Sequence, residues 1–108
     1  MVAVKATTFT KVATTDEVPP GVMRKVTVDG VDVVLANADG KYYAIGDVCT
    51  HEGGPLDEGT FHGNEVECPW HGSRFDLRSG EVTQGPADTP VPGFEVMVEG
   101  NIILIRAK

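Results

Sequence analysis

Apolar and polar positions along this 108-residue chain alternate in short runs, and turns break the runs. "GVMRKVTV" (21–28) leads into Asp29-Gly30, "VDVVLANA" (31–38) leads into Asp39-Gly40, and "KYYAIGD" (41–47) follows. Val- and Tyr-rich alternation interrupted twice by Asp-Gly predicts consecutive hairpins, because Asp and Gly tolerate the positive φ of tight hairpin turns. "NEVECP" (64–69), "SRFDL" (73–77), "GEVTQ" (80–84), "FEVMVE" (94–99) and "NIILIRAK" (101–108) continue the theme, with "EGN" joining the final two. Helical periodicity is nowhere sustained for ten residues. Pro19-Pro20-Gly21 ends the opening segment, and Pro86, Pro90 and Pro92 exclude a central strand or helix from that stretch. No solenoid-length repeat or low-complexity tract is present. The pattern predicts an all-β sandwich or small barrel.

Length sets one domain over residues 1–108, with a core that needs no disulfides at this size. A hydrophobic content of 41% with 23% charged residues is that of a globular chain. No stretch has signal-peptide character or approaches the roughly 20 apolar residues of a membrane span. A soluble cytoplasmic protein is expected, with thiols kept reduced unless they bind something. The net charge of −7 is unevenly placed. Residues 1–46 hold five acids and five bases; residues 47–108 hold eleven acids against Arg74, Arg78, Arg106 and Lys108. That balance excludes nucleic acid as a natural partner, since phosphate binding needs clustered Lys and Arg. It suits solubility, and docking on a basic protein surface.

Candidate chemistry sits in two loops. The only two cysteines and two of the three histidines stand in "CTHEGGPL" (49–56) and "CPWHGSRF" (68–75). The spacing is C-x-H, sixteen intervening residues, then C-x2-H. A Cys2His2 zinc site is one use of such donors, but zinc fingers pair Cys with Cys and His with His. A Cys-His nucleophile would use one pair and leave the other unexplained. A disulfide would be silent about the histidines. A two-iron cluster with one iron on two thiolates and the other on two imidazoles uses all four.

These boxes resemble the paired cluster-binding motifs of Rieske [2Fe–2S] proteins. Ligand types, their order and both short spacings agree, and Gly72 follows the second histidine. "EVPPG", the intervening hairpin, "FDLRSGEV" and the closing strands extend the resemblance to soluble Rieske ferredoxins over nearly the whole chain. It implies a Rieske-like antiparallel β-sandwich, with a small cluster-binding subdomain at about 47–84 formed by two loops. It also implies one [2Fe–2S] cluster per chain, with Cys49 and Cys68 on the buried iron and His51 and His71 on the outer one. Gly-rich loops bring backbone N–H donors close to charged sulfur. Neutral imidazoles make the outer iron easier to reduce than four thiolates would.

Respiratory members of the family carry an extra, disulfide-forming cysteine in each box, where this chain has Gly54 and Trp70. After the second histidine they place a serine and a tyrosine that donate hydrogen bonds to sulfur. Here Ser73 is present, but the tyrosine position is Phe75, which has no donor. Fewer donors and the surrounding negative charge predict a potential in the lower half of the roughly −150 to +300 mV Rieske range. Ser73 is either a sulfur donor or a loop-turn hydroxyl. Trp70 serves partner contact or packing. His62 is read as a surface group in the hairpin turn before Asn64, and "GPADTPVPG" (85–93) as a stiff loop covering the cluster or a connector between sheets.

The resemblance implies a one-electron carrier, not an enzyme in itself. Ferredoxin components of this kind pass electrons from an NAD(P)H-dependent flavoprotein reductase to a terminal Rieske oxygenase that hydroxylates aromatic rings. A monomer that binds neither nucleic acid nor membrane is expected. The small Rieske-like subunit of a nitrite reductase and a structural zinc protein are the alternative readings.

Overall fold

The structure, a computed structural model, describes residues 8–107. Its strands are β1 (Thr10–Thr14), β2 (Met23–Val28), β3 (Val31–Ala38), β4 (Lys41–Gly46), β5 (Thr60–His62), β6 (Glu65–Glu67), β7 (Arg74–Asp76), β8 (Val82–Gln84), β9 (Gly93–Glu99) and β10 (Ile102–Ala107). Short 3₁₀ turns at Thr15–Glu17 and Leu56–Glu58 are the helical elements among the described residues. None is long and apolar enough to cross a membrane.

Two antiparallel sheets form, one six-stranded in the order β1-β10-β9-β4-β3-β2 and one four-stranded in the order β5-β6-β7-β8. The Asp-Gly pairs make the expected two-residue turns. Val28 pairs with Val31 across Asp29 (φ 51°) and Gly30 (φ 79°), and Ala38 pairs with Lys41 across Asp39 (φ 58°) and Gly40 (φ 95°). Positive φ at both turn residues matches the right-handed twist of the flanking strands.

Strand β3 explains how the two sheets share a core. Its residues 33–38 are all buried, without alternation. Val33 and Leu35 pack with Val26, Phe94, Ile103 and Ile105, while Val34 and Ala36 pack with Ile45, Leu56, Val66, Phe75 and Leu77. A strand covered on both faces has no solvent side, so residues 33–36 read as a continuous apolar run, and the buried Asn37 side chain donates to Val18 O at 2.9 Å. The six-stranded sheet curls until its outermost strands, β1 and β2, come into contact, which encloses the first of these cores. The second lies between that sheet and the small one. Fully buried Leu35, Ile45, Ile103 and Ile105 each contribute roughly 1.5–3 kcal/mol through burial.

Residues 47–92 form one excursion between β4 and its sheet neighbour β9. Ala44 pairs with Phe94 and Ile45 with Gly93, and the Gly46 N–H donates to Pro92 O at 2.8 Å. The start and end of the excursion are thus pressed together. A Cβ on Gly46 would lie 2.9 Å from the Pro92 ring, so the closure requires glycine.

Two strands carry no alternation of apolar and polar positions that marks them in the sequence. β1 exposes Thr10 and Lys11, buries Ala13 and carries a register shift between Lys11 and Ala13; pairing with β10, not its own pattern, makes it a strand. β5 is three residues long, too short for alternation to show. His62 ends β5 and does not lie in the turn, which Gly63 (φ 59°) and Asn64 supply. Residues 85–92 form neither strand nor helix, in line with their prolines.

Candidate metal centre

The two Cys/His loops leave the β scaffold at matching points and close in the same way. Cys49 N–H donates to Gly54 O (2.8 Å) and Gly53 N–H to Cys49 O (2.8 Å); Cys68 N–H donates to Ser73 O (2.7 Å) and Gly72 N–H to Cys68 O (3.2 Å). Gly53 and Gly72 stand at φ 80° and 81°, a left-handed conformation that side chains resist. Each cysteine therefore begins a tight turn that ends on glycine, and each turn carries its histidine outward.

The four predicted residues separate into two levels. Cys49 and Cys68 are 2% and 3% exposed and pack in the core beside Phe75 and Val66. The imidazoles of His51 and His71 reach the surface, their ring centroids 5.2 Å apart and their planes nearly perpendicular at 86°. Burial, together with the neighbouring Cys49 thiol, pushes the Cys68 thiol above its ordinary range. The backbone N–H groups of Trp70 and His71 point at the Cys68 sulfur and pull the other way, favouring thiolate. Sulfur inside, nitrogen outside and N–H donors aimed at the sulfur fit a two-iron cluster with mixed ligands.

A third wall ties the loops down. The Thr50 hydroxyl donates to Thr89 O (2.6 Å), and Ala87 N–H donates to Ser73 Oγ (2.9 Å). The proline-rich stretch is thus fastened once to each cysteine loop. Ser73, fully buried, spends an acceptor position on that anchor. Phe75 is also fully buried and has no polar atom to offer. Trp70 is 55% exposed, with its inner edge against Gly54. The two positions where respiratory members carry a disulfide therefore face each other here as an indole on a glycine.

Some participants were not singled out in the sequence. Glu52 lies between the imidazoles, with carboxylate oxygens 3.9 Å from His51 Nε2 and 3.5 Å from His71 Nδ1. Asp47, at the foot of the first loop, is buried and accepts the Asp57 N–H at 2.7 Å. Burial and the adjacent Asp57 carboxyl push it up to about 7. A single acid within or below a loop carries no spacing signature, which is why neither stood out. His62 belongs to a different cluster. Its Nε2 lies 2.9 Å from Glu67 Oε1, which also accepts from Arg74 Nε at 3.2 Å, across β5, β6 and β7.

Comparison with known proteins gives the family. The family model of the Rieske [2Fe-2S] domain matches residues 8–95, and the chain belongs to that family, which carries a single [2Fe–2S] cluster. It is 38% identical over 99 residues to the biphenyl dioxygenase ferredoxin subunit of Pseudomonas sp. (strain KKS102), covering 91% of each chain. Among solved structures it resembles the ferredoxin of carbazole 1,9a-dioxygenase from Nocardioides aromaticivorans IC177, with 40% identity and a TM-score of 0.90 over 94% of this chain and 100% of that one. A ferredoxin–oxygenase complex of carbazole 1,9a-dioxygenase matches at 31% identity and a TM-score of 0.87, over 93% of this chain and 95% of the other. A protein assigned as a nitrite reductase small subunit shares the fold at 24% identity and a TM-score of 0.78, covering 93% of this chain and 99% of the other.

Proposed function

We propose that this protein is a one-electron carrier that takes electrons from an NAD(P)H-dependent flavoprotein reductase and hands them to a terminal ring-hydroxylating oxygenase. It is an electron-transfer component, not an enzyme in itself. Cys49 and Cys68 would hold the inner iron and His51 and His71 the outer iron of the cluster. When bound, the cluster supplies a site that gains and loses one electron. The observation that carries the reading is the pair of imidazoles exposed side by side above two buried cysteines. That arrangement puts the conducting edge where a partner can reach it, while the core keeps water from the sulfur.

This chain's own residues do the rest. The N–H groups of Trp70 and His71 steady negative charge on Cys68. Glu52 beside the imidazoles and the net charge of −7 favour brief docking on basic partner surfaces, fast at low salt and slow at high salt. The relatives are ferredoxin components of biphenyl, naphthalene and carbazole dioxygenase systems, which supports the oxygenase as electron acceptor. The reductase, a monomeric state, a cytoplasmic setting and a single domain with its cluster-binding part at about 47–84 complete the proposal.

Stopped-flow mixing of the reduced protein with a purified terminal ring-hydroxylating oxygenase is the experiment. Reoxidation that slows as salt is added is expected. A reduced protein that delivers no electrons to such oxygenases would overturn the reading.

A further inference from the structure

Gly54 is buried although it stands in a loop. A Cβ there would lie 2.7 Å from Cys68 Sγ and 3.1 Å from both Cγ and Cδ2 of Trp70. The first cysteine loop therefore presents bare backbone to the second, and the Trp70 ring rests on it. Trp70 is nevertheless 55% exposed. Among the described residues, no backbone hydrogen bond joins residues 49–54 to residues 68–73; each turn closes on itself. The anchors to Thr89 and Ala87 fasten each loop to the proline-rich stretch and not to the other loop. Across the seam, the indole on Gly54 is joined at the exposed rim by the edge-on His51–His71 pair and by Glu52, 3.5 Å from His71 Nδ1. Cys68, whose sulfur lies under the indole–Gly54 contact, is only 3% exposed.

We propose that Trp70 is a positioning residue whose indole, seated on Gly54, clasps the two cysteine loops together and keeps water from the Cys68 sulfur. A half-exposed aromatic that served only a docking partner would not need a glycine beneath it. A flat ring fits a flat backbone surface, and its area displaces the water that would otherwise enter the seam. The inference rests on the reading of Cys68 as a cluster ligand.

The test compares Trp70→Ala and Trp70→Phe with the parent, all purified with the cluster bound. Trp70→Ala should bleach in a chelator about ten- to a hundredfold faster, the usual effect of losing support around a metal ligand. Its reduction potential should move upward as water reaches sulfur. Trp70→Phe keeps an aromatic face on Gly54 and should bleach within about threefold of the parent. Gly54→Ala pushes on both sulfur and indole, so it should also hasten bleaching, and add less when Trp70→Ala is already present. If Trp70→Ala is too unstable to purify, Trp70→Leu, apolar but without a flat ring, takes its place and should bleach faster than Trp70→Phe. A cluster-bearing Trp70→Ala protein with the parent's bleaching rate and potential would overturn the clasp, as would equal failure of the Ala and Phe variants or strict additivity with Gly54→Ala. A parent protein without iron would instead overturn the ligand reading, and the clasp with it.

Discussion

Removing one oxygen atom, by Ser73→Ala, measures what holds the proline-rich stretch over the cysteine loops. Ser73 Oγ accepts the Ala87 N–H at 2.9 Å, and the two residues are 0% and 4% exposed. The substitution leaves the Cys68 N–H bond to Ser73 O intact, because that acceptor is backbone. It strands a buried N–H, at a cost of about 1–3 kcal/mol. A middle value of about 2 kcal/mol corresponds to about a 30-fold rise in the open population of the segment it secures. Hydrogen–deuterium exchange followed by mass spectrometry on the oxidised, cluster-bound protein reads this directly. Exchange in a peptide covering 85–92 should quicken by about that factor, with little change in β2 or β3. Exchange within about twofold of the parent throughout that peptide would show that the hydroxyl is not the anchor.

Three other substitutions probe the site and its support. Phe75→Ala empties a fully buried position beside both cysteines; it should cost about 3–5 kcal/mol in denaturant unfolding and release the cluster at lower denaturant than the parent. If His71 is the neutral ligand proposed, His71→Cys replaces it by a charged one and should lower the reduction potential in a redox titration; an unchanged potential and spectrum would remove His71 from the proposed ligand set. Asp76 is held below the usual carboxylate range chiefly by its hydrogen bond from Arg78. A lowered folded-state pKa means stability that is present above the unfolded value and lost as pH falls through the folded one. Asp76→Asn should therefore cost about 0.5–1 kcal/mol near neutrality. The effect is small because Arg78 is 59% exposed, and parent and variant should converge in acid unfolding as pH drops below 3.8.

Local chemistry was legible in the sequence wherever it acts over a few residues. Both Asp-Gly turns, the β2–β4 run and the closing hairpin follow from alternation and from residues that tolerate positive φ. The Cys/His boxes stood out because the spacing within each is local. β1 escaped notice because its strand character comes from β10, nearly a hundred residues away. The packing of Trp70 on Gly54 and the Ser73–Ala87 bond join loops distant in sequence, and no spacing rule ties such partners together. The roles left open for Ser73 and Trp70 were open for that reason.

Paramagnetic resonance of the dithionite-reduced protein, with iron and sulfide assays on the same sample, bears most directly on the ligand assignment. Two irons and two sulfides per chain, with the low average g-value of a cluster carrying two imidazoles, are predicted. A single zinc, or a signal typical of four thiolates, would contradict it.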